Sequence, residues 1–239
     1  MAVKDLKAGK VQAIVTAPIS KAAIHSEAFP FAGHTEYFGS HFAEPGREGL
    51  MMMINDRMKV ALVCNHVPIS RVPQLISEDR VLRKIRVLHE TLQTDFLLRA
   101  PRIAVLGLNP HAGENGLIGN EEKDSIKPAV QKACEEGILA FGPYSADGFF
   151  GTGEYVHFDA ILGMYHDQVL TPFKIVNMDG VNFTAGLPIV RVSPDHGTAY
   201  DKAGKNRAEE ASMRAAVYFA IDTLKNRQLS REINSNPLR

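Results

Sequence analysis

An α/β fold with a mixed or mostly parallel sheet is predicted by two observations. Short apolar runs of strand length alternate with segments of helical periodicity over most of the 239 residues. Several of those runs deliver polar residues at their carboxyl ends, where open α/β sheets bind ligands. The densest such stretch is 159–191. Its apolar run from Ala160 to Met164 ends in Tyr165-His166-Asp167-Gln168. Lys174, Asn182 and Arg191 follow, each set in a Gly- or Pro-containing loop or at the end of another apolar run. One potential metal ligand, two cations and an amide within one short span point to an anionic substrate held near a metal.

The bulk numbers fit this class. A chain with 45% hydrophobic and 23% charged residues can bury a core of one large or two small domains. Lys plus Arg number 27 and Asp plus Glu number 27, so no net charge draws the chain to nucleic acid or to an anionic membrane. The cations from Arg80 to Arg86 are interrupted by apolar residues at helical spacing, as on a solvated helix face. Cys64 and Cys134 form no CxxC pattern, which argues against a disulfide or a cysteine zinc site and for a reducing cytosol. No apolar run has the length of a membrane span, and the N-terminus has no signal-peptide core. The expectation is a cytoplasmic protein with neither nucleic acid nor membrane as a partner.

In chain order, 2–8 reads as a short polar helix and 11–15 as a strand. A loop 16–21 follows, and a helix is predicted over 35–42 after the turn at Gly33. Residues 51–55 and 59–64 read as strands joined at Asn55-Asp56. A long helix is predicted over 73–98, with Leu75, Leu82, Ile85, Leu92 and Phe96 on its apolar stripe. Strand 103–106 leads into a glycine-rich loop, 107–116, of the kind that lets backbone approach a ligand. A helix over 121–136 should bend at Pro128 and be capped by Gly137. Strand 160–164, a polar loop 193–205 and a closing helix 208–224 complete the reading, with a frayed polar tail after Arg227.

Three histidines stand at comparable places. His66, His111 and His166 follow the runs ending at Cys64, Leu106 and Met164. Three imidazoles from three strand ends suit a divalent metal with an open position, whereas each His alone would be an ordinary loop residue. Asp167 could orient a neighbouring His or cap a helix. His34 and Thr35 could donate to substrate at a helix start, and Lys174 and Arg191 could clamp a phosphate or carboxylate. Asp195-His196-Gly197-Thr198-Ala199, followed by Ala203-Gly204-Lys205, is a small-residue loop that could wrap a dinucleotide. Neither GxGxxG nor GxxxxGK[ST] occurs.

The segments VTAPISK, FAGHTE, CNHVP, GLNPHAGENG, MYHDQ, PFK, GVN, GLPIVR and SPDHGTAYD with AGK run in order from Val15 to Lys205. In these the chain resembles the PdxA family, the 4-hydroxythreonine-4-phosphate dehydrogenases of pyridoxal phosphate biosynthesis. The resemblance implies the isocitrate/isopropylmalate dehydrogenase-like fold, two α/β domains with the active-site cleft between them. It implies a homodimer whose site draws on both subunits. It further implies NAD- or NADP-linked oxidation of 4-phosphohydroxy-L-threonine, with loss of CO2 to give 3-amino-2-oxopropyl phosphate. His66, His111 and His166 match the family's metal ligands, with one or more supplied by the partner subunit. Zinc suits three imidazoles best, and magnesium or cobalt are alternatives. His34, Thr35, Lys174, Asn182 and Arg191 match substrate contacts. Lys174, with His166 and Asp167, is the candidate for proton transfer or oxygen polarisation. Asp195, His196, Gly197, Thr198 and Ala199 match the loop lining the adenosine end of the cofactor.

Two departures accompany the match. Relatives carry a long segment with a GEPAGIGPE-type motif before the first matched strand, and that motif is not in this sequence. The expectation is a chain lacking the first strands of the cofactor domain, by design, by proteolysis or by a shortened reading frame. In addition, AYDKAGKNRA places Lys202, Asn206 and Arg207 where relatives are more apolar, which leaves NAD and NADP both open. The expected domains are 1–30 with 166–239, the remainder of the cofactor-binding domain, and 31–165, the central domain with metal, substrate and dimer contacts. Two alternatives stand beside the main reading. One is a related dehydrogenase of a four-carbon sugar-acid phosphate or a dihydrodiol. The other is a non-catalytic shortened form that keeps metal and substrate binding.

Overall fold

Strands and helices alternate along the chain in the computed structural model, which describes all residues except 25, 28, 32, 44–47 and 237–239. The strands are β1 (Ala13–Val15), β2 (Leu50–Ile54), β3 (Lys59–Leu62), β4 (Arg102–Leu106), β5 (Leu139–Tyr144), β6 (Ala160–Gly163), β7 (Val181–Ala185) and β8 (Val190–Pro194). The helices are α1 (Ala2–Lys7), α2 (Lys21–Ile24), α3 (His34–Phe42), α4 (Val72–Leu75), α5 (Glu78–Thr94), α6 (Lys127–Glu135), α7 (Ala146–Gly151), α8 (His166–Val176) and α9 (Ala211–Ser235). None is long and apolar enough to cross a membrane.

The chain divides into two compact units, 1–51 with 179–239 and 52–178. The sequence reading set the divisions near 31 and 166. Helix α8 follows β6 directly and packs on β3 and β6, so residues 166–178 stay with the second unit.

In the first unit the strand order is β1-β8-β7. β1 runs parallel to β8, with Ile14 opposite Arg191. β7 and β8 form an antiparallel pair, with Phe183 opposite Val192. Alternation sorts the side chains by face. Phe183, Val190 and Val192 turn one way and are fully buried. α9 packs on β8, β1 and β7, with the Phe219 ring 5.2 Å from that of Phe183. The other face carries Asn182, Thr184, Arg191 and Ser193. Beside it, Ile14 packs with Leu6, Phe38 and Leu187, which ties in α1 and α3. Where fraying was expected after Arg227, α9 continues to Ser235. Arg227 anchors it by donating to the Leu187 and Pro188 carbonyls at 3.2 Å each, and the Gln228 side chain bonds Glu232 one turn on.

In the second unit the order is β2-β3-β6-β4-β5, with β2 straddling the division. β2 and β3 are antiparallel, and Asn55 Oδ1 shapes the turn between them by accepting from the Arg57 and Met58 amides at 2.9 Å. β3, β6, β4 and β5 are parallel, so the sheet is mixed as expected. The long helix begins at Glu78, not Pro73. Ser77 caps it by accepting from the Arg80 amide, while Pro73 belongs to the separate α4 and Ile76 between them is extended. Before α6 a π-helical turn spans Glu122–Ile126, because Pro128 has no N–H to continue the regular ladder. Gly137 caps α6 at φ 81°, as its position predicts.

Gly163 ends β6 under α8. A Cβ there would lie 2.4 Å from Val169 Cγ1, and Val169 is fully buried. Gly163→Ala is therefore expected to destabilise the protein by about 1–3 kcal/mol through overpacking. Denaturant unfolding would measure this, and a variant as stable as the parent would show that α8 moves away at little cost.

Candidate active site

The parallel register of β3 and β6 brings two histidines together. Leu62 lies opposite Gly163, and two further hydrogen bonds carry the ladder on: Val63 N to Gly163 O at 2.9 Å and Cys64 N to Met164 O at 3.1 Å. His66 and His166 each come two residues later. Their ring centroids are 5.9 Å apart. His166 opens α8, and its Nδ1 is 2.6 Å from Asp167 Oδ1. Asp167 thus orients the ring through Nδ1 and leaves Nε2 as the nitrogen not engaged by this contact. Gln168 fixes the start of α8, with Oε1 accepting from the Met164 amide at 2.7 Å and Nε2 donating to the Gly107 carbonyl at 2.6 Å. Lys174 is on the same helix, two turns after Asp167 and on the same face.

His111 stands apart from the pair. Among the described residues no three His, Cys, Asp or Glu side chains converge to hold a metal. Two imidazoles, one oriented by a carboxylate, fit two corners of a divalent site. The glycine-rich loop after β4 takes His111 elsewhere. His111, Ala112, Gly113, Glu114 and Asn115 are all left-handed, with φ between 42° and 81°. Each non-glycine residue in that conformation costs about 1–2 kcal/mol, so the turn needs external support. Glu122 supplies it from beneath. Its buried carboxylate accepts from the Leu108 and Asn109 amides at 2.7 Å each and from Asn109 Nδ2 at 3.0 Å. His111 is near Asp147 at the start of α7. That carboxyl is held below its ordinary range by the Ser145 hydroxyl first, then by the Gly148 amide and, more weakly, by His111.

The polar face of β7 and β8 gathers a second set in the first unit. Arg191 is 3% exposed and its hydrogen-bond partners are hydroxyls. Nη1 donates to Thr184 at 3.1 Å and to Thr35 at 3.4 Å, and Nη2 donates to Thr16 at 3.0 Å and Ser193 at 3.1 Å. The registers explain the cage: Ile14 lies opposite Arg191 and Asn182 opposite Ser193, so Thr16 and Thr184, each two residues further on, come to the same face. Arg191 Nε and Asn182 Oδ1 are buried with no hydrogen-bond partner among the described residues. Burial pushes the Arg191 guanidinium down to about 10, partly offset by Glu36. His34 at the start of α3 is pushed down to about 4, by burial first and then by Arg191. At neutral pH the histidine is therefore uncharged and the guanidinium is the cation. A buried cation among neutral hydroxyls, with orphaned polar atoms on the same face, suits an anionic group of a ligand.

The predicted cofactor loop leaves β8 in the same unit. The Asp195 amide donates to Ser212 Oγ at 3.1 Å, and that hydroxyl donates to the Gly180 carbonyl at 2.8 Å, which staples the loop to the start of α9. Past His196, Gly197 and Thr198, Ala199 is left-handed at φ 47° and starts a short 3-10 turn, Tyr200–Lys202.

The family model described as "Pyridoxal phosphate biosynthetic protein PdxA" matches residues 1–220. The chain belongs to the PdxA family. A 4-hydroxythreonine-4-phosphate dehydrogenase of Bacteroides thetaiotaomicron is 51% identical over all 239 residues, and the chain spans 65% of that relative's length. The crystal structure of 4-hydroxythreonine-4-phosphate dehydrogenase from Klebsiella pneumoniae superposes with a TM-score of 0.80 at 35% identity, covering 93% of this chain and 66% of that one. A terephthalate 1,2-cis-dihydrodiol dehydrogenase from Burkholderia xenovorans follows at a TM-score of 0.69 and 26% identity, covering 92% and 70%. A β-decarboxylating dehydrogenase of Thermococcus kodakarensis shares the fold at a TM-score of 0.51 and 14% identity. The fold is thus the isocitrate/isopropylmalate dehydrogenase-like one that the motifs imply.

Within this PdxA chain, sequence reasoning gave no role to Gln168, Glu122, Thr16, Thr184 or Ser193. The signal for the last two was present. Thr184 alternates with Phe183 and Ala185, and Ser193 follows Arg191 at i+2, so polar residues mark one face of two apolar strands. Gln168 and Glu122 bond to backbone groups far along the chain, and no local pattern announces that.

Two outcomes are expected. Thr184→Val leaves a buried guanidinium donor unpaired and should cost about 1–3 kcal/mol in denaturant unfolding, whereas Thr184→Ser keeps the hydroxyl and should cost less. Equal losses in the two variants would remove the hydroxyl from the account. For His34 the folded pKa lies below the ordinary 6.5. The unfolded chain then binds the extra proton, so this contribution to stability is present above pH 6.5 and is lost as pH falls towards 4. His34→Gln should flatten the stability profile over that window, and an unchanged slope would rule His34 out as its source.

Proposed function

We propose that this chain carries 4-hydroxythreonine-4-phosphate dehydrogenase chemistry. In that reaction NAD or NADP accepts the hydride of a secondary alcohol in 4-phosphohydroxy-L-threonine, and the β-keto acid loses CO2 to give 3-amino-2-oxopropyl phosphate. The observation that carries the reading is the 51% identity to a relative of that name over every residue of the chain. The His66–His166 pair and the hydroxyl-caged Arg191 support it chemically.

When bound, the nicotinamide provides the hydride acceptor and a divalent ion provides Lewis acidity. His66 and His166 would hold the ion, with Asp167 fixing the His166 ring. His111 completes the set, from this subunit or from the second copy in a homodimer. Zinc suits imidazole donors best, with magnesium and cobalt as alternatives. Arg191, with Thr35, His34 and Asn182, binds the anionic part of the substrate. Lys174 moves the hydroxyl proton or polarises that oxygen. Residues 195–199 line the adenosine end of the cofactor, in the discontinuous part of the chain. A second reading, a dehydrogenase of an aromatic dihydrodiol, draws on the likeness to the Burkholderia xenovorans structure and is weaker at 26% identity.

The direct test is formation of reduced nicotinamide by the chain with 4-phosphohydroxy-L-threonine and each divalent metal, with and without chelator. Turnover should need the metal and disappear in His166→Ala. Asp167→Asn should weaken metal binding about 10–100-fold. Turnover of a dihydrodiol but not of the phosphorylated substrate would favour the second reading. Turnover indifferent to both chelator and His166→Ala would sink the metal assignment.

A further inference from the structure

We propose that Glu122 is the positioning residue for His111: its buried carboxylate clamps the start of the left-handed turn and thereby sets where His111 is presented to a metal. The inference rests on the metal reading of His111 given above.

The geometry that points to it is local and complete. β4 ends at Leu106, and Gly107 is held on both sides, its amide donating to the Tyr144 carbonyl at 2.8 Å and its carbonyl accepting from Gln168. The next two amides, Leu108 and Asn109, both donate to the single oxygen Glu122 Oε1. Asn109 Nδ2 then bridges Glu122 Oε2 at 3.0 Å and Glu121 Oε2 at 2.8 Å. Glu122 is 5% exposed. Its oxygens face amide donors, so it is not a free ligand for an ion.

The turn also closes down on the carboxylate. A Cβ added to Gly113, in the middle of the left-handed run, would lie 2.6 Å from Glu122 Oε2. One added to Gly107 would lie 3.0 Å from Glu122 Oε1, and one added to Gly119 would lie 2.4 Å from Asn109 Nδ2. Glu122 thus touches the first residue of the loop and its centre. Two points held against one rigid carboxylate define the direction of the turn between them, and His111 sits between those points. The short-range hydrogen bonds of the turn, such as Ala112 N to Asn109 O at 3.1 Å, stand against a steric cost of about 1–2 kcal/mol for each of its four left-handed non-glycine residues. Without the clamp the segment has right-handed and extended alternatives that would carry His111 away.

The experiment uses the full chain and compares Glu122→Ala, Glu122→Gln and Glu121→Gln. Hydrogen exchange followed by mass spectrometry reads the peptide covering 107–116 against one covering 50–64. Co²⁺ alone, added to each variant, reads affinity through its visible absorption. Glu122→Ala should speed exchange in 107–116 at least about tenfold while leaving 50–64 unchanged. It should also weaken Co²⁺ binding about tenfold. Glu122→Gln retains an acceptor for the two backbone amides and should restore most of both. Glu121→Gln, whose carboxylate accepts from the Asn109 side chain, should match the parent.

Exchange in 107–116 equal to the parent's would overturn the clamp, as would a rise of the same factor in both peptides. Should Glu122→Ala not fold, Glu122→Asp, one methylene too short to reach both loop amides, decides by the same peptide: faster exchange confined to 107–116 supports the clamp, and exchange equal to the parent's overturns it. His111→Ala separates the two layers. If it binds Co²⁺ as the parent does, the metal part of the proposal is overturned, and the exchange data still judge the clamp.

Discussion

The parallel pairing of β3 with β6 is the constraint on which the histidine pair depends. In a parallel ladder equivalent residues of neighbouring strands end side by side. Leu62 pairs with Gly163, and the ladder continues through Cys64 and Met164 before either chain turns away. His66 and His166, each two residues further on, therefore emerge together. Neither needs a special loop to meet the other. The small residue at 163 is part of the same device, since α8 could not start so close to the strand with a side chain there.

A buried cation organises the other unit. Arg191 sits in a strand between two buried valines, and a charge in that place requires compensation. The compensation comes from hydroxyls on β7 and β8, from Thr16 just after β1 and from Thr35 on α3. Hydroxyls satisfy the donors without cancelling the charge, which a carboxylate would do. The guanidinium so held also depresses the neighbouring His34, so the set keeps a single positive charge at neutral pH.

The loop after β4 shows a third way of placing a side chain. Its conformation is unfavourable residue by residue, and the glycines at 107, 113 and 119 leave the room that Glu122 and Asn109 fill. The histidine there is placed by this turn, not by strand register.

Much of the fold could be read from residue order. Alternating apolar runs and helical stripes announced an α/β chain, the turn at Asn55-Asp56 and the cap at Gly137 stood where predicted, and the ordered motifs led to the PdxA family. The reading went astray where a single contact decides an element's limits. The Ser77 hydroxyl starts α5 after Pro73 has gone into a separate turn, and Arg227 holds α9 together where composition suggested fraying. By itself the sequence determined the fold class and singled out candidate residues for a metal and an anion, because periodicity and residue chemistry are local properties. Tertiary structure alone decided that His66 meets His166 while His111 does not, that hydroxyls surround Arg191, and that Glu122 supports a left-handed turn. Those outcomes depend on strand register and on hydrogen bonds between residues far apart in the chain, which no local pattern encodes.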